Sequence, residues 1–380
     1  RRISRLSMSA GWFHSLLLRS DGSVVAFGRD DSGAEGAQAP RHEALTPPGG
    51  LRYLRAAAGL YHSVLLQSDG AAVACGSNGS GQCDIPILPD GVRYCAVAAS
   101  EHHTVLIRTD GRAVAFGGNL YGQCNLPSLM PGLRYIDAAA SPSHTVLLRS
   151  DGRAVVAGRK DDGRCDVPPL SDEQWYTAVA AGGSHTLLLR NDGHAFAIGS
   201  NGHGQCVVPE LPPGLRYIDV AAGGSHSVLV RSDGEVFAVG SNEAGQCEVP
   251  RGPPPGCARD ARRVAAFAGY RHTVLVTSDG GAEAFGWDLD GQCCIPPLPP
   301  GLSYVAPERL AESAVAAVLP PVPIPQLPGP AVALPALGAV CGPREEPQRA
   351  AALPGPALAL ERGGATRTAV FGVAARGQEK

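Results

Sequence analysis

One stretch recurs at near-constant spacing along most of this 380-residue chain and constrains its fold more than any other feature. In its clearest copy, Gly224 to Gly240, a short apolar run leads to Asp233-Gly234 and a second apolar run leads away. Glycine adopts positive φ freely, so an Asp-Gly pair between two apolar runs predicts a β-hairpin with a two-residue type I′ turn. The chain is therefore expected to consist largely of repeated hairpins.

The spacing of the copies predicts the architecture. A histidine precedes the first apolar run of each copy, at His14, His62, His103, His144, His185, His226 and His272. The matching Asp-Gly pairs begin at Asp21, Asp69, Asp110, Asp151, Asp192, Asp233 and Asp279. The four intervals from His62 to His226 are 41 residues each, whereas the first interval is 48 and the last is 46. Seven strand-rich units of this length predict an all-β fold, a seven-bladed β-propeller with one unit per blade.

Each unit has the same internal order. The copy described above opens with the strand-like segment 215–222, continues through the hairpin, passes a polar turn at 241–247 and ends before Pro250. These four strand-like pieces predict four strands per blade, with proline at the end of the last strand because it cannot donate to a ladder. Segments of small residues, such as Ala180-Ala181-Gly182, are expected at the crowded axis of the ring.

The repeats also divide the chain into two parts. Residues 1–319 are predicted to form the propeller, with seven units and a degenerate eighth start at Gly301, where Ser313 stands in place of the next histidine. This remnant is expected to add a closing strand, since a propeller pairs its first and last blades to remove sheet edges. Residues 320–380 form a Pro- and Ala-rich tail that we expect to be irregular and poorly ordered.

Composition excludes several classes of function. The formal net charge of −3 argues against nucleic acid and anionic membranes as partners. No apolar run approaches the ~18 residues of a membrane span. The 11 cysteines are spread along the chain and are expected to be small buried thiols in a reducing compartment. We expect a monomer in the cytoplasm or nucleus.

The residues that could carry chemistry recur in every unit. Ser, His and Asp resemble the parts of a hydrolase triad, but a triad needs one oriented set beside an oxyanion hole. Seven equivalent copies instead indicate a shared structural role, and we expect each histidine to make a buried hydrogen bond that holds its blade together. The in-register cysteines are one per unit, too dispersed for a zinc site: Cys83, Cys124, Cys165, Cys206, Cys247 and Cys293. No catalytic residue, metal or cofactor is predicted.

Candidate partner-binding residues lie at the hairpin tips and in the two long connections. Arginines precede the Asp-Gly turns by two residues at Arg19, Arg108, Arg149, Arg190 and Arg231. They form either a solvated ring whose charge the aspartates cancel, or a protein-docking surface, since arginine is favoured at interfaces. The longer connections, around residues 34–49 and 253–261, add Arg41, His42 and Arg259 on one side of the ring.

The repeat resembles that of a known family. Gly59-Leu60-Tyr61-His62-Ser63 with Asp69-Gly70, and Gly183-Ser184-His185-Thr186 with Asp192-Gly193, are similar to the RCC1 (regulator of chromosome condensation) repeat. The resemblance covers about residues 2–300. The family's usual Trp-Gly after the second hairpin strand is replaced, for example by Phe27-Gly28. A WD40 propeller has a similar period but would show Trp-Asp in each blade, and Trp287-Asp288 is the only such pair.

The resemblance implies a seven-bladed propeller that binds protein partners and is not an enzyme. It implies two possible roles: the recognition part of a HERC-like ubiquitin ligase, with a ubiquitination substrate as partner, or a guanine-nucleotide exchange factor for a small GTPase. A HECT-type catalytic domain does not fit in the Pro-rich remainder, so ligase activity would require further sequence.

Overall fold

The computed structural model describes residues 9–29, 44–252 and 257–305. Within these ranges every regular element is a strand, and 22 strands form seven antiparallel sheets. Each sheet contains one hairpin unit and is one blade, which confirms the predicted all-β, seven-bladed propeller. No helix in this part of the chain is long and apolar enough to cross a membrane.

The strands follow the repeat in chain order. Blades 1 to 3 contain β1 (Ser9–Ala10), β2 (His14–Leu18), β3 (Val24–Gly28), β4 (Ala44–Leu45), β5 (Tyr53–Ala58), β6 (His62–Gln67), β7 (Ala72–Gly76), β8 (Tyr94–Ala99), β9 (His103–Arg108) and β10 (Ala113–Gly117). Blades 4 and 5 contain β11 (Tyr135–Ser141), β12 (His144–Arg149), β13 (Ala154–Gly158), β14 (Tyr176–Ala181), β15 (His185–Arg190) and β16 (Ala195–Gly199). Blades 6 and 7 contain β17 (Tyr217–Ala222), β18 (His226–Arg231), β19 (Val236–Gly240), β20 (Arg263–Ala268), β21 (His272–Thr277) and β22 (Ala282–Gly286).

The core lies between blades rather than within them. One cluster joins Val146 and Leu148 of β12 to Tyr176, Val179 and Leu188 of blade 5, and all five are buried. Middle strands such as β12 are covered by neighbouring blades on both faces, which is why they are apolar without alternation. A single blade has no core of its own, so stability comes from stacking each blade on the next.

The hairpin turn differs from the predicted type I′ turn. In blade 6 the Arg231 N–H donates to the Glu235 carbonyl at 2.8 Å, and the Gly234 N–H donates to the Arg231 carbonyl at 2.8 Å. The loop therefore has three residues, Ser232 to Gly234, and only its glycine needs the left-handed conformation, with φ of 90°. The Asp233 carboxylate stabilises this longer loop by accepting the Glu235 N–H at 3.1 Å.

The prediction of four strands per blade is wrong for six of the seven blades. Only blade 1 has a fourth strand, in which Leu45 pairs with Val24. Every other unit carries a proline at the position of Leu45, namely Pro86, Pro127, Pro168, Pro209, Pro250 or Pro296. Proline has no N–H to donate to a ladder, so the segment follows the blade as a loop. In five units a tyrosine hydroxyl holds that loop, as Tyr217 does by donating to the Pro209 carbonyl at 2.8 Å.

Small side chains line the axis, as the sequence predicts. A channel of about 180 Å³ runs between the inner strands, and its walls include Ala181 and Ala222. Alanine predominates in this lining, although Asp137, Asp219 and Phe267 also contribute to it.

The eighth unit closes the ring. The inner strand of blade 1 has two pieces: β1 pairs with the start of β2, and Tyr304 pairs with Arg19 just past its end. The Val305 N–H donates to the Leu18 carbonyl at 3.0 Å, while the Tyr304 N–H donates to the Gly280 carbonyl of blade 7 at 2.8 Å. The chain therefore joins its first and last blades through residues 303–305. Ser313 and the predicted boundary at residues 319 and 320 lie outside the described residues.

We expect Tyr304→Ala to destabilise the propeller by about 3 kcal/mol, because it removes a side chain buried between blades 7 and 1. Tyr304→Phe keeps the ring and loses the hydrogen bonds of the hydroxyl to the Pro296 carbonyl and to Arg19, a loss of about 2 kcal/mol. Urea denaturation of the two variants measures both values. Equal midpoints for Tyr304→Ala and the wild type would show that closure contributes no stability.

Candidate functional site

The repeated histidines form a ring of hydrogen bonds that joins each blade to the next. Each Nε2 lies 2.8–3.1 Å from a serine or threonine hydroxyl on the following blade, and the last bond returns from His272 to Ser15. The pairs are His14–Ser63, His62–Thr104, His103–Thr145, His144–Thr186, His185–Ser227, His226–Thr273 and His272–Ser15. We expected each histidine to hold its own blade together, but its hydrogen bond joins that blade to the next one.

The hydroxyl partners fix the histidine tautomer. In six of the seven pairs the hydroxyl donates its only hydrogen to a backbone carbonyl, as Thr145 does to Gln123 at 2.8 Å. That hydroxyl can then only accept from the histidine, so Nε2 carries the hydrogen and Nδ1 does not. In these six pairs Nε2 is a fixed donor to the following blade, and the imidazole ring is buried away from solvent.

Burial keeps the ring neutral. His226 and His272 are fully buried, and desolvation, helped by neighbouring histidines, lowers the pKa of each to about 3. The Nδ1 edge lies against the last residue of the inner-strand segment; a Cβ on Gly223 or Gly269 would overlap that edge. Glycine allows this close approach in most blades, but Ser100 occupies the position in blade 3. In blade 4, Ser141 replaces the glycine and its hydroxyl lies 2.6 Å from the Nδ1 of His144.

The Asp-Gly aspartates have a local structural role at the tip face, the end of the propeller formed by the hairpin tips. Each Oδ1 accepts the backbone N–H two residues on, at distances from 2.9 to 3.3 Å. Hydrogen bonding of this kind lets an aspartate stabilise a turn. All seven predicted aspartates, from Asp21 to Asp279, thus shape the tips.

The predicted arginine ring is made of internal ion pairs and not of free charges. Arg108, Arg149, Arg190 and Arg231 each pair with the aspartate two residues on, and their side chains are only 11–19% exposed. The guanidinium of Arg190 also lies over the Phe196 ring, 4.8 Å from its centre. Arg19 is buried beside Tyr304. The geometry agrees with the charge-cancelling interpretation and leaves little of these arginines for a partner.

The remaining candidates are only partly described. Arg41 and His42 lie outside the described residues, and Arg259 is exposed in the connection before blade 7. The in-register cysteines are free thiols, each with Sγ within 3.1–3.4 Å of the carbonyl six residues back. Among the described residues no group of three or more His, Cys, Asp or Glu side chains could hold a metal ion.

The turn face, at the opposite end of the propeller, carries a feature that sequence reasoning missed. Here each blade presents a mouth loop, the two residues before its histidine: 12–13, 60–61, 101–102, 142–143, 183–184, 224–225 and 270–271. Backbone hydrogen bonds join neighbouring loops in part of the ring, as from the Gly224 N–H to the Tyr270 carbonyl at 3.1 Å. Side chains of successive loops are thereby held side by side around the mouth of the channel.

Aromatic residues occupy the mouth loops of three adjacent blades. The rings of Trp12 and Tyr270 stack with centres 3.8 Å apart, and those of Phe13 and Tyr61 with centres 5.5 Å apart. Trp287, in the next turn of blade 7, completes this aromatic cluster. The cluster is partly exposed and includes Tyr270 at 36%.

Two arginines cover the aromatic cluster. The Arg271 guanidinium lies 5.8 Å from the ring centres of both Tyr270 and Trp287, and that of Arg29 lies 5.6 Å from Phe13. Their ion pairs are long and exposed: Arg271 is 3.7 Å from Glu243, and Arg29 is 3.9 Å from Asp290. An exposed pair such as Arg271–Glu243 contributes little, so Arg271 can exchange this partner at small cost.

The other side of the mouth is different. Blades 5 and 6 carry Gly183-Ser184 and Gly224-Ser225 in their mouth loops. These two blades fold with the smallest side chains in their mouth loops. The fold therefore does not require aromatic residues at these positions. This variation inside a constant repeat was available in the sequence, but the adjacency of residues as distant as Trp12 and Tyr270 was not.

Comparisons with known proteins agree with this fold. A family model described as the regulator of chromosome condensation (RCC1) repeat matches residues 6–34, 56–82, 94–123, 176–205 and 217–246. A search of curated proteins finds no match. The structure of Prp20p from Saccharomyces cerevisiae is similar at 19% identity with a TM-score of 0.58, over 70% of this chain and 80% of that one.

Two further solved structures are similar. Human WBSCR16 has 17% identity and a TM-score of 0.57, over 73% of this chain and 88% of that one. The CRINKLY WD40 ectodomain of the Arabidopsis thaliana receptor kinase ACR4 has 18% identity and a TM-score of 0.55, over 76% and 96%. Together with the in-register histidines, these findings define a repeat propeller whose constant residues lie between blades. Five stretches of the chain match the RCC1 repeat, and its described part has the fold of an RCC1-like propeller.

We expect the propeller to lose stability as the pH falls below about 6.5. An unfolded histidine binds a proton near that pH, whereas burial keeps the pKa of six ring histidines at about 3 to 4, so the unfolded state binds more protons in this window. Each one contributes about 1.4 kcal/mol of destabilisation per pH unit. Urea midpoints at pH 7, 6 and 5 measure the slope.

His226→Gln should reduce that slope by the contribution of one histidine. A stability that is constant from pH 7 to pH 5 would mean that the ring histidines are protonated in the fold.

Proposed function

We propose that this chain is a non-catalytic protein-interaction propeller, and that a partner protein binds the aromatic cluster of the turn face. The observation that carries the proposal is the clustering of two pairs of stacked aromatic rings and two arginines on blades 7, 1 and 2. Trp, Tyr and Arg are the residues most enriched among those that dominate binding energy at protein interfaces. The site is preformed, because the hydrogen-bonded mouth loops and ring stacking already order it.

The ring histidines support the absence of catalysis in this proposal. Six of these histidines are buried, and each of the seven makes an interblade hydrogen bond. Catalysis by proton transfer needs a group with a pKa near the working pH, and these pKa values lie far below it.

A loop exchange tests the proposed binding site. Replacing Tyr270-Arg271 by Gly-Ser copies the loop that blade 6 carries at Gly224-Ser225, so the blade should still fold. Partner capture should fall at least 30-fold, the effect of losing one dominant interface residue of about 2 kcal/mol. Quantitative affinity capture with mass spectrometry measures it for each recovered protein.

The control exchanges Glu101-His102 for Gly-Ser in blade 3, on the same face but outside the aromatic cluster. Capture that falls equally in both variants, or in neither, contradicts the assignment of the site. Urea denaturation of each variant separates lost binding from lost folding.

Guanine-nucleotide exchange is the second candidate function, and a solved neighbour favours it. Prp20p, whose propeller is similar to this one, binds Gsp1p and histones. We propose measuring the release of labelled nucleotide from a panel of small GTPases. Acceleration at catalytic amounts of this chain would support exchange, and its loss in the Tyr270-Arg271 exchange variant would place the activity at the aromatic cluster. If no GTPase releases nucleotide faster, the exchange function is rejected and only the interaction role is retained.

The HERC-like context is a proposal about the partner. If the propeller is the recognition part of such a ligase, the captured proteins should be ubiquitinated in cells, and the Tyr270-Arg271 exchange should lower that ubiquitination together with capture. Captured proteins whose ubiquitination does not respond would argue against this context. The cytoplasmic or nuclear location stays a prediction.

A further inference from the structure

The tip face of blades 3 and 4 carries arginines that differ from the ring of internal ion pairs. Arg112 and Arg153 directly follow the two Asp-Gly pairs and are exposed. Their backbone N–H groups donate to Asp110 and Asp151, at 3.1 and 3.2 Å. Within the described residues no carboxylate forms an ion pair with either guanidinium. Both therefore present their full charge to solvent.

A third arginine connects these two tips. Arg134 opens the inner strand of blade 4, and a Cβ placed on Gly111 would overlap its side chain, so it lies directly across the tip of blade 3. Arg134 is half-buried, and the described part of the chain gives it no ion pair. Arg112, Arg134 and Arg153 thus extend positive charge over two adjacent blades. We call the surface formed by residues 108–112, 134 and 149–153 the basic sector.

The basic sector is a local departure from the charge balance of the repeat. It contains five arginines and two aspartates, a net charge of +3. The equivalent positions of blades 5 and 6 (residues 190–194, 216 and 231–235) hold three arginines and three carboxylates, and their net charge is zero. The whole chain is at −3. Positive charge is therefore concentrated on this sector against a weakly acidic background.

An aromatic side chain borders the basic sector. Trp175 occupies the place that Arg134 and Arg216 hold in their units, and a Cβ on Gly152 would overlap it, so it lies across the tip of blade 4 next to Arg153. Asp172 and Glu173 are exposed just before it in the chain. The sector thus has arginines at its centre, an apolar surface at one edge and carboxylates beyond that edge.

We propose that the basic sector binds an acidic segment of a partner protein, with an apolar side chain of that segment packed on Trp175. Carboxylates at short spacing can pair with Arg112, Arg134 and Arg153, and arginine forms bidentate bonds with carboxylates. An extended polypeptide matches a sector two blades wide. The acidic residues at 172 and 173 set its limit, because a polyanion that runs on into blade 5 meets like charge.

Two features favour an acidic polypeptide over nucleic acid. A nucleic acid presents a continuous run of phosphates, which needs a basic surface longer than two hairpin tips. Its grooves or bases also need groups that recognise them, whereas the sector offers guanidinium groups and one tryptophan. This interaction lies on the face opposite to the aromatic cluster and is independent of the proposed function, so each can fail without the other.

The test uses the whole chain and a fluorescein-labelled twelve-residue peptide of Glu and Asp with one central Leu, followed by fluorescence anisotropy at two salt concentrations. Binding should weaken at high salt, and a peptide with Gln and Asn in place of the acids should not bind.

The double variant R112E/R153E should lose at least tenfold in affinity for the acidic peptide. It should fold, because Glu235 naturally occupies the same turn position in blade 6. W175A should lower affinity for the Leu peptide and leave an all-acidic peptide unchanged.

The control is R216E/R262E, which changes the net charge by the same amount at two exposed arginines outside the basic sector. It should bind the acidic peptide within twofold of the wild type. Equal losses in both double variants, or no binding of the acidic peptide by the wild type at low salt, would overturn the proposal. Tenfold tighter binding of a single-stranded oligonucleotide than of the peptide would also overturn it. Partner capture through the aromatic cluster should be unchanged in R112E/R153E.

Discussion

The histidine–hydroxyl hydrogen bond between neighbouring blades is the interaction on which the rest of the structure depends. Each blade is a small sheet without a core of its own, and it gains stability only against its neighbours. The bond between His144 and Thr186 is buried, so shifting one blade relative to the next would leave two polar groups unpaired in the interior. It therefore sets the register of the stack, while the apolar clusters supply most of the stabilising free energy.

The repeat was predictable because short stretches of the sequence determine its strands and turns, and the spacing of these stretches gives its period. The number of strands per blade was not, because it depends on one ladder position: Leu45 allows a fourth strand, and Pro250 and its counterparts prevent it. The hairpin turn was assigned one residue too short, since Asp-Gly fits both a two-residue turn and the last two positions of a three-residue loop. Both errors concern backbone hydrogen bonds, which apolar patterns do not specify.

The candidate sites, too, could be predicted only in part from the sequence. Sequence spacing correctly placed the arginines at the hairpin tips, but it could not show that Arg190 lies folded onto Asp192 and Phe196. Nor could it bring Trp12 against Tyr270, because that contact exists only when the ring has closed. The family model leaves units 4 and 7 unmatched, and these units supply part of the basic sector and of the aromatic cluster. Both proposed sites lie at positions where the side chain differs from one unit to the next. The repeated contacts between blades do not fix the identity of these side chains.

The two-piece inner strand of blade 1 has a consequence for synthesis. A nascent chain can form the blades one after another, because each needs only its predecessor, but the start of the stack stays incomplete until Tyr304 and Val305 have been made. Until then the apolar faces of blade 1 and of the newest blade lack a partner, and exposed faces of this kind favour association between chains. Such a protein should depend on chaperones for the interval between its first and last repeats, and little afterwards.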